Sequence, residues 1–441
     1  MGLGRAARMT LGLVERNRIP VEIVDVEFEG LSRTPLESTA LVGNIDAPRY
    51  SATLLQMNPE QVVDGLLTWD EGLLGRMQQS YIAAIPFWEL STLPDHWVDF
   101  LRGVDEVLAP SRHIEEVIRA AFSTIENPPR LSYYLQAVRP PSRACAQRRR
   151  WFGDRSETTV FLASFDLVSD PARKNPGGAL AAFLAASAHR DDMTLVLKAG
   201  YANMVSASPE YRALAEAAAS DPRILLIEET LDDSEAWSLL ASSDAYVSLH
   251  RAEGLGLGLM ESMALGKPVI GTSWSGNMDF MSPEDSILVP YRLVPVMADQ
   301  VPLYREMNGT AVWADPDIAF AAQAMRQLAE SPETRTRLGR AARESSERRW
   351  LEYSQAQALR GVLAHAANPD LASSLRVERL ARLRSDVRAR AATARRNVSL
   401  AERSKRIGVA GLRAVGLKPP APADEVGSGP LRIVDPYEVD V

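Results

Sequence analysis

The 441-residue sequence holds a single cysteine, Cys145, so no disulfide can close within the chain and a reducing compartment is expected. No apolar run nears the length of a membrane span; the longest, Gly178 to Ala188, falls far short. Residues 1–18 carry no apolar core of signal-peptide length, and the sixth residue, Ala6, breaks the N-myristoylation pattern. A cytosolic location is the resulting expectation. With five histidines and one cysteine, no His/Cys cluster offers a zinc site. A dinucleotide fingerprint is also missing: Gly2-Leu3-Gly4 has no strand before it and no third glycine behind it. No repeat recurs at solenoid periods.

What is present is ordinary in bulk: 46% hydrophobic and 24% charged residues, enough to bury a large core. The length suggests about three domains. The net charge of −8 conceals an asymmetry. Between Arg376 and Lys418 stand thirteen Arg/Lys and three Asp/Glu, a net of +10 that leaves −18 for the rest. A basic tail on an acidic body is not the footprint of a nucleic-acid-binding core. It points to an appendage with its own contact, an anionic membrane surface or a protein.

Apolar runs alternate with helical patterns. Strands are predicted at 21–28, 52–57, 81–86 and 105–110, with helices over Asp95–Leu101 and Ser111–Phe122. Ser111 reads as an N-cap. The proline- and arginine-rich stretch 139–150 reads as a break between domains. A second set of strands follows at 158–165, 194–199, 223–228, 245–249, 268–272 and 286–290. Helices over Gly178–Ser187, Glu210–Ala219, Asp233–Ala241 and Leu257–Leu265 lie between them. Repeated β-α alternation predicts parallel sheets flanked by helices, with ligands at the carboxyl ends of the strands. Helix is predicted again over 333–365 and 375–416. Gly2 and Gly4 are expected to form a turn into a helix over Ala6–Arg16, a turn that normally follows a strand.

Residues 248–262, SLHRAEGLGLGLMES, carry the clearest chemistry. A strand ends at Leu249, and glycines 254, 256 and 258 stand at the entrance of the next helix. Free N–H groups and the helix dipole favour an anion there, and glycine lets a phosphate reach the main chain. Glu253 precedes the turn and Glu261 lies about one and a half turns into the helix. A carboxylate only accepts hydrogen bonds, so it can hold two adjacent sugar hydroxyls. The stretch therefore reads as a grip for a sugar nucleotide. Asp315-Pro316-Asp317 spells a metal-site pattern but reads as a helix cap.

The Glu253-x7-Glu261 spacing within EGLGLGLMESMALGKPVI resembles family 4 glycosyltransferases, which have the GT-B fold. Two further stretches share the resemblance: SFDLVSDPARKNPGGALAAFLAA (164–186) and GTSWSGNMDFM (271–281). It spans roughly residues 1–360 and is stronger in the second half. The resemblance implies an α/β protein of two Rossmann-like, doubly wound domains facing a cleft, with a C-terminal helical extension. Implied boundaries are an acceptor domain at 1–140, a linker at 141–157 and a nucleotide-sugar domain at 158–345. A crossing helix follows at 346–366 and a basic tail at 367–441. It implies a retaining, metal-independent hexosyltransferase that needs no cofactor and moves a sugar from a nucleoside diphosphate to a glycan or lipid-linked glycan. Glu253 and Lys174 are the implied catalytic residues. Donor contacts are implied for Arg173, Lys174, His250, Glu253, Gly254, Leu255, Gly256, Leu257, Glu261, Ser275, Gly276 and Asn277. Gly2, Gly4, Asn58, Trp88 and Glu89 are implied at the cleft or acceptor side. The family's arginine directly after the first strand of this domain is absent, its place taken by Phe165-Asp166. The alternative is a non-catalytic sugar-nucleotide- or glycan-binding scaffold of the same fold.

Overall fold

The computed structural model describes residues 2–23, 41–42, 51–59, 80–142, 144–167, 170–202, 208–297, 307, 309–367, 381 and 385. The first lobe opens with helix α1 (Gly2–Arg16), which buries Ala6, Leu13 and Val14. Strands β1 (Glu22–Ile23) and β2 (Leu41–Val42) pair in parallel. The main sheet runs β3 (Ala52–Leu55), β4 (Tyr81–Ala84), β5 (Glu106–Ala109) and β6 (Arg130–Tyr133), all parallel. Helices α2 (Asp95–Leu101) and α3 (Arg112–Phe122) pack on it. Ser111 caps α3, its Oγ accepting the Ile114 N–H at 3.3 Å.

After a short helix α4 (Arg148–Phe152), the second lobe alternates strand and helix. Its strands are β7 (Thr159–Asp166), β8 (Met193–Gly200), β9 (Ile224–Ile227), β10 (Ala245–Ser248), β11 (Val269–Thr272) and β12 (Ile287–Val289). Its helices are α5 (Pro171–Lys174), α6 (Pro176–Ala186), α7 (Pro209–Ser220), α8 (Asp233–Ser242) and α9 (Leu257–Ala264). The sheet order is β12-β11-β10-β7-β8-β9, wholly parallel. Val160, Phe161, Leu162, Leu195, Val196 and Leu197 are all at most 1% exposed, because helices cover both faces of the central strands. An antiparallel pair, β13 (Tyr291–Pro295) with β14 (Val312–Pro316), follows the sheet. The chain is thus two parallel-sheet Rossmann-like lobes of the GT-B type.

Three expectations need correction or a limit. Gly2 and Gly4 lie inside α1 rather than in a turn, and a Cβ at Gly4 would meet only the Arg8 side chain, at 3.9 Å. The single helix expected over 333–365 is broken. Helices α10 (Ile318–Glu330) and α11 (Pro332–Tyr353) pack on the second lobe, and α12 (Gln357–Ala366) returns to the first. The break is at Ala356, buried at 2% and left-handed at φ 53°, which turns Leu359 and Val362 onto the core under β4 and β5. The basic tail 376–418, apart from residues 381 and 385, lies outside the described residues. Among the described residues no helix is long and apolar enough to cross a membrane.

The lobes meet at the carboxyl ends of their sheets. Trp88, Leu90 and Trp97 of the first lobe form one buried cluster with Ala252, Val296, Ala311 and Trp313 of the second. A polar hub lies beside it. Asp279 accepts the Arg112 N–H at 3.0 Å, at the first turn of α3, and the Tyr133 hydroxyl at 2.9 Å. Arg349 on α11 donates to the Gln136 carbonyl at 2.6 Å and to the Asp279 carbonyl at 2.8 Å.

Candidate active site

The strand order reverses between β7 and β10, so the loops that follow these two strands diverge and leave a crevice at their carboxyl ends. The loop after β7 carries the cations. Asp170, left-handed at φ 73°, accepts the N–H groups of Ala172 and Arg173 at 3.0 and 3.3 Å and starts α5. Asn175 ends that turn at φ 51° and donates from its Nδ2 to the Leu249 carbonyl at 2.8 Å. The Arg251 N–H donates to the Arg173 carbonyl at 2.7 Å. Side chain and main chain together stitch the two loops to each other.

Four charged side chains converge there. Lys174 Nζ stands 2.5 Å from Glu253 Oε1. Arg173, 3% exposed, donates to the Ala252 carbonyl at 2.9 Å and lies 3.7 Å from Glu253 and 3.6 Å from Glu89. Burial alone would raise the Glu253 carboxyl, but Lys174 and Arg173 overcome it and hold it down at about 2. The acid is therefore ionised at neutral pH. Glu89 comes from the loop after β4, so the first lobe contributes to the same cluster.

The glycine turn beside them is tightly built. Gly256 sits at φ 87° as the N-cap of α9, a conformation other residues rarely adopt. A Cβ on Gly254 would stand 2.9 Å from the Trp88 carbonyl oxygen, and one on Gly276 only 2.1 Å from the Gly254 carbonyl oxygen. Three chain segments thus touch through backbone. The N–H groups of Gly254, Leu255, Gly256 and Leu257 donate to no acceptor among the described residues. Donors without a protein acceptor at a helix N-terminus, with Lys174 and Arg173 close by, are an arrangement suited to an anion such as a diphosphate.

Glu261 is on α9, buried at 4%, with Arg5 Nε of α1 at 2.7 Å. The contact is short but off the N–H direction, so it is an ion pair, and Oε1 makes no well-formed hydrogen bond. Burial raises this carboxyl to about 7, opposed by Arg5 and helped by Asp233. Nearby, Ser164 is exposed on the central strand β7, so open space faces the carboxyl end of the sheet. Lys198, paired in register with Ser164, faces the same side; among the described residues its ammonium hydrogen-bonds only the Ala199 carbonyl, at 3.2 Å, and burial lowers its pKa.

The remaining expected residues divide. His250 is fully buried: its Nδ1 accepts from Ser248 Oγ at 3.0 Å, and its Nε2 donates to Asn277 Oδ1 at 3.0 Å. Asn277 uses its amide on the Thr272 carbonyl at 2.9 Å. These side chains brace the loop from behind, with their polar atoms turned to each other. Ser275 accepts the Glu253 N–H at 2.8 Å and Gly276 donates to the Glu253 carbonyl at 2.9 Å, so both position Glu253. Asn58 accepts the Phe87 N–H at 2.9 Å and fixes the start of the Trp88–Glu89 loop. Trp88 is core-like at 5% exposed, tilted against Trp97 with ring centroids 4.6 Å apart. Gly2 and Gly4 stay in α1, where Arg5 rather than either glycine reaches the second lobe. Asp317 caps α10 by accepting the Phe320 N–H at 2.9 Å, while Asp315 pairs with Arg292 at 3.1 Å. Among the described residues no group of three His, Cys, Asp or Glu could hold a metal ion.

Sequence reasoning missed Arg5, Asp170, Lys198, Asp279 and Arg349. Asp170-Pro171 was readable as a cap with proline at the first helical position. A lysine inside the apolar run TLVLKA was readable as an anomaly. Arg5, Asp279 and Arg349 find partners more than a hundred residues away, which no local pattern announces.

Residues 159–302 match the family model described as Glycosyl transferases group 1. In fold the chain is similar to sucrose-phosphate synthase from Thermosynechococcus elongatus, at 15% identity and a TM-score of 0.52, over 72% of this chain and 75% of that one. It is similar to Anabaena HepE, solved in complex with UDP and glucose, at 14% identity and a TM-score of 0.51, over 71% and 78% of the two chains. Against the pneumococcal O-GlcNAc transferase GtfA, solved with UDP and GlcNAc, the values are 14% and 0.49, over 71% of this chain. The match spans 56%, little more than half, of the GtfA chain. No curated protein sequence matches the chain closely.

Proposed function

We propose that this chain, whose residues 159–302 match the group 1 glycosyltransferase model and whose lobes have the GT-B fold, is a retaining hexosyltransferase that uses a nucleoside diphosphate sugar without a metal. The acceptor is a glycan or lipid-linked glycan, met in the cytosol on the first-lobe side of the crevice. UDP is the first donor base to test, since HepE was solved with UDP and glucose. The observation that carries the proposal is the set of N–H groups at 254–257 with no acceptor among the described residues, beside Lys174, Arg173 and Glu253.

Cleavage of the anomeric C–O bond leaves negative charge on the departing diphosphate and positive character on the sugar carbon. Fixed N–H donors and the ammonium of Lys174 stabilise the leaving group, with Arg173 holding the cluster from beneath. Glu253 is ionised and so acts as an acceptor for sugar hydroxyls and a counter-charge to the anomeric carbon, not as a proton donor. Donor phosphate and Glu253 share the cation of Lys174, so phosphate binding loosens the 2.5 Å pair and turns the carboxylate toward the sugar. Glu261 then accepts the ribose diol.

The test is release of nucleoside diphosphate from UDP-, GDP-, ADP- and dTDP-sugars, with and without added glycan acceptors. Turnover with one donor, reduced about 100-fold or more by Lys174→Ala, is the expected result. Tight binding with no turnover for any donor favours a non-catalytic scaffold.

A further inference from the structure

The Arg5–Glu261 pair joins a helix of the first lobe to a buried acid of the second. We propose that Arg5 is a positioning residue: docked from the first lobe, its guanidinium orients the Glu261 carboxylate and favours its charged form for the donor ribose, so this acid is ready only when the lobes are together. The inference rests on the functional reading above, in which Glu261 accepts a ribose diol.

The geometry is specific to this junction. Arg5 does not reach Glu261 as a loose surface residue. Its guanidinium lies over the Trp237 ring, 5.3 Å from the centroid, which fixes its plane. One turn along α1, Arg8 stands 3.6 Å from Asp233, the first residue of α8. Leu13 and Val14 bury the far end of α1 in the first-lobe core beside Tyr81, Ile85 and Leu108. The helix is thus anchored in one lobe and presents its amino-terminal cations to the other. At Glu261 the Arg5 contact is misaligned for a hydrogen bond, so the buried Oε1 is charge-compensated by Arg5 but holds no well-formed hydrogen bond.

Among the described residues no other cation pairs with Glu261. From α8, Asp233 faces Glu261 and disfavours its charge, an effect Arg8 offsets by pairing with Asp233. From β10, the Tyr246 phenol lies close enough for Glu261 to raise it. On α11, Arg343 packs at Gly266, beyond the opposite end of α9. An isolated carboxylate with Glu261's burial would be neutral at physiological pH, and a neutral acid grips a diol less well than an ion. Withdrawal of α1 on lobe opening would therefore weaken the hold on ribose and release the spent nucleotide.

The experiment is calorimetric titration of the full chain from pH 6 to pH 9 with UDP, or with whichever of GDP, ADP and dTDP the wild type binds instead, for wild type, Arg5→Ala and Arg5→Lys. Wild-type binding should strengthen as the pH rises through about 7, where Glu261 ionises. In Arg5→Ala that rise should move up by about one unit, making binding about tenfold weaker at pH 7 and closer to wild type at pH 9. Arg5→Lys should fall between them. Equal weakening at every pH, unchanged binding or tighter binding overturns the proposal. If Arg5→Ala does not fold, Arg5→Gln replaces it under the same criteria. If the wild type binds none of UDP, GDP, ADP and dTDP, the functional reading itself fails. Nucleotide binding without the shift removes only the role of Arg5.

Discussion

Two carboxylates eight positions apart are shifted in opposite directions, Glu253 down to about 2 and Glu261 up to about 7. Glu261 is buried and Glu253 half-buried; the main difference is the number of cations, two at Glu253 and one, misaligned, at Glu261. Opposite stability profiles follow. Glu253 has a depressed folded value, so its contribution is present above about 4.5 and is lost as the pH falls toward 2. Glu253→Gln should cost about 1–3 kcal/mol at pH 7, because Arg173 and Lys174 lose their counter-charge, and the deficit should shrink below pH 4.5 in urea denaturation. Glu261 has a raised value, so the native state retains its proton longer and wild-type stability declines as the pH climbs from about 4.5 to 7. Glu261→Gln should abolish that decline and gain about 1–3 kcal/mol relative to wild type between pH 5 and pH 8, measured by the same denaturation.

Among the elements, the turn into α9 depends on space that only glycine leaves. A Cβ on Gly258 would stand 2.3 Å from the Tyr246 hydroxyl oxygen, and that hydroxyl is already engaged with the Ser164 carbonyl at 3.2 Å. Gly258→Ala should cost about 1–3 kcal/mol by thermal unfolding. Adding Tyr246→Phe should return part of that cost, since the pair is in contact and need not be additive. Gly276→Ala meets a backbone oxygen, which cannot rotate away, so it should abolish nucleotide binding in calorimetry by displacing Gly254. Such local chemistry was legible in the sequence. Apolar runs bounded by turn residues mark β7, β8, β10 and β11, and Glu253-Gly-Leu-Gly marks the turn. Strands β6, β13 and β14 were missed because RLSY, YRLVP and VWADP alternate weakly or contain proline. The break at Ala356 was hidden because alanine is a good helix former; only packing of α12 on the other lobe forces its left-handed turn.

For the whole molecule, the lobes meet at Glu89–Arg173, Arg5–Glu261 and the Asp279–Arg349 hub, and the proposed function requires that they do. The hub touches none of the four charged residues at the anion site, so it separates docking from chemistry. Arg349→Ala removes donors to Gln136, Tyr133 and Asp279, and should raise amide exchange at 86–97 and 279–281 while leaving the second-lobe sheet protected. Activity in that variant should fall through a higher donor KM more than through kcat, measured by steady-state release of the nucleoside diphosphate. The most direct measurement of the central claim is a crystal structure of the chain soaked with UDP. The expected result is a diphosphate on the N–H groups of 254–257 and Lys174, with the ribose hydroxyls on Glu261. A nucleotide bound elsewhere, with those N–H groups facing solvent or protein, would contradict it.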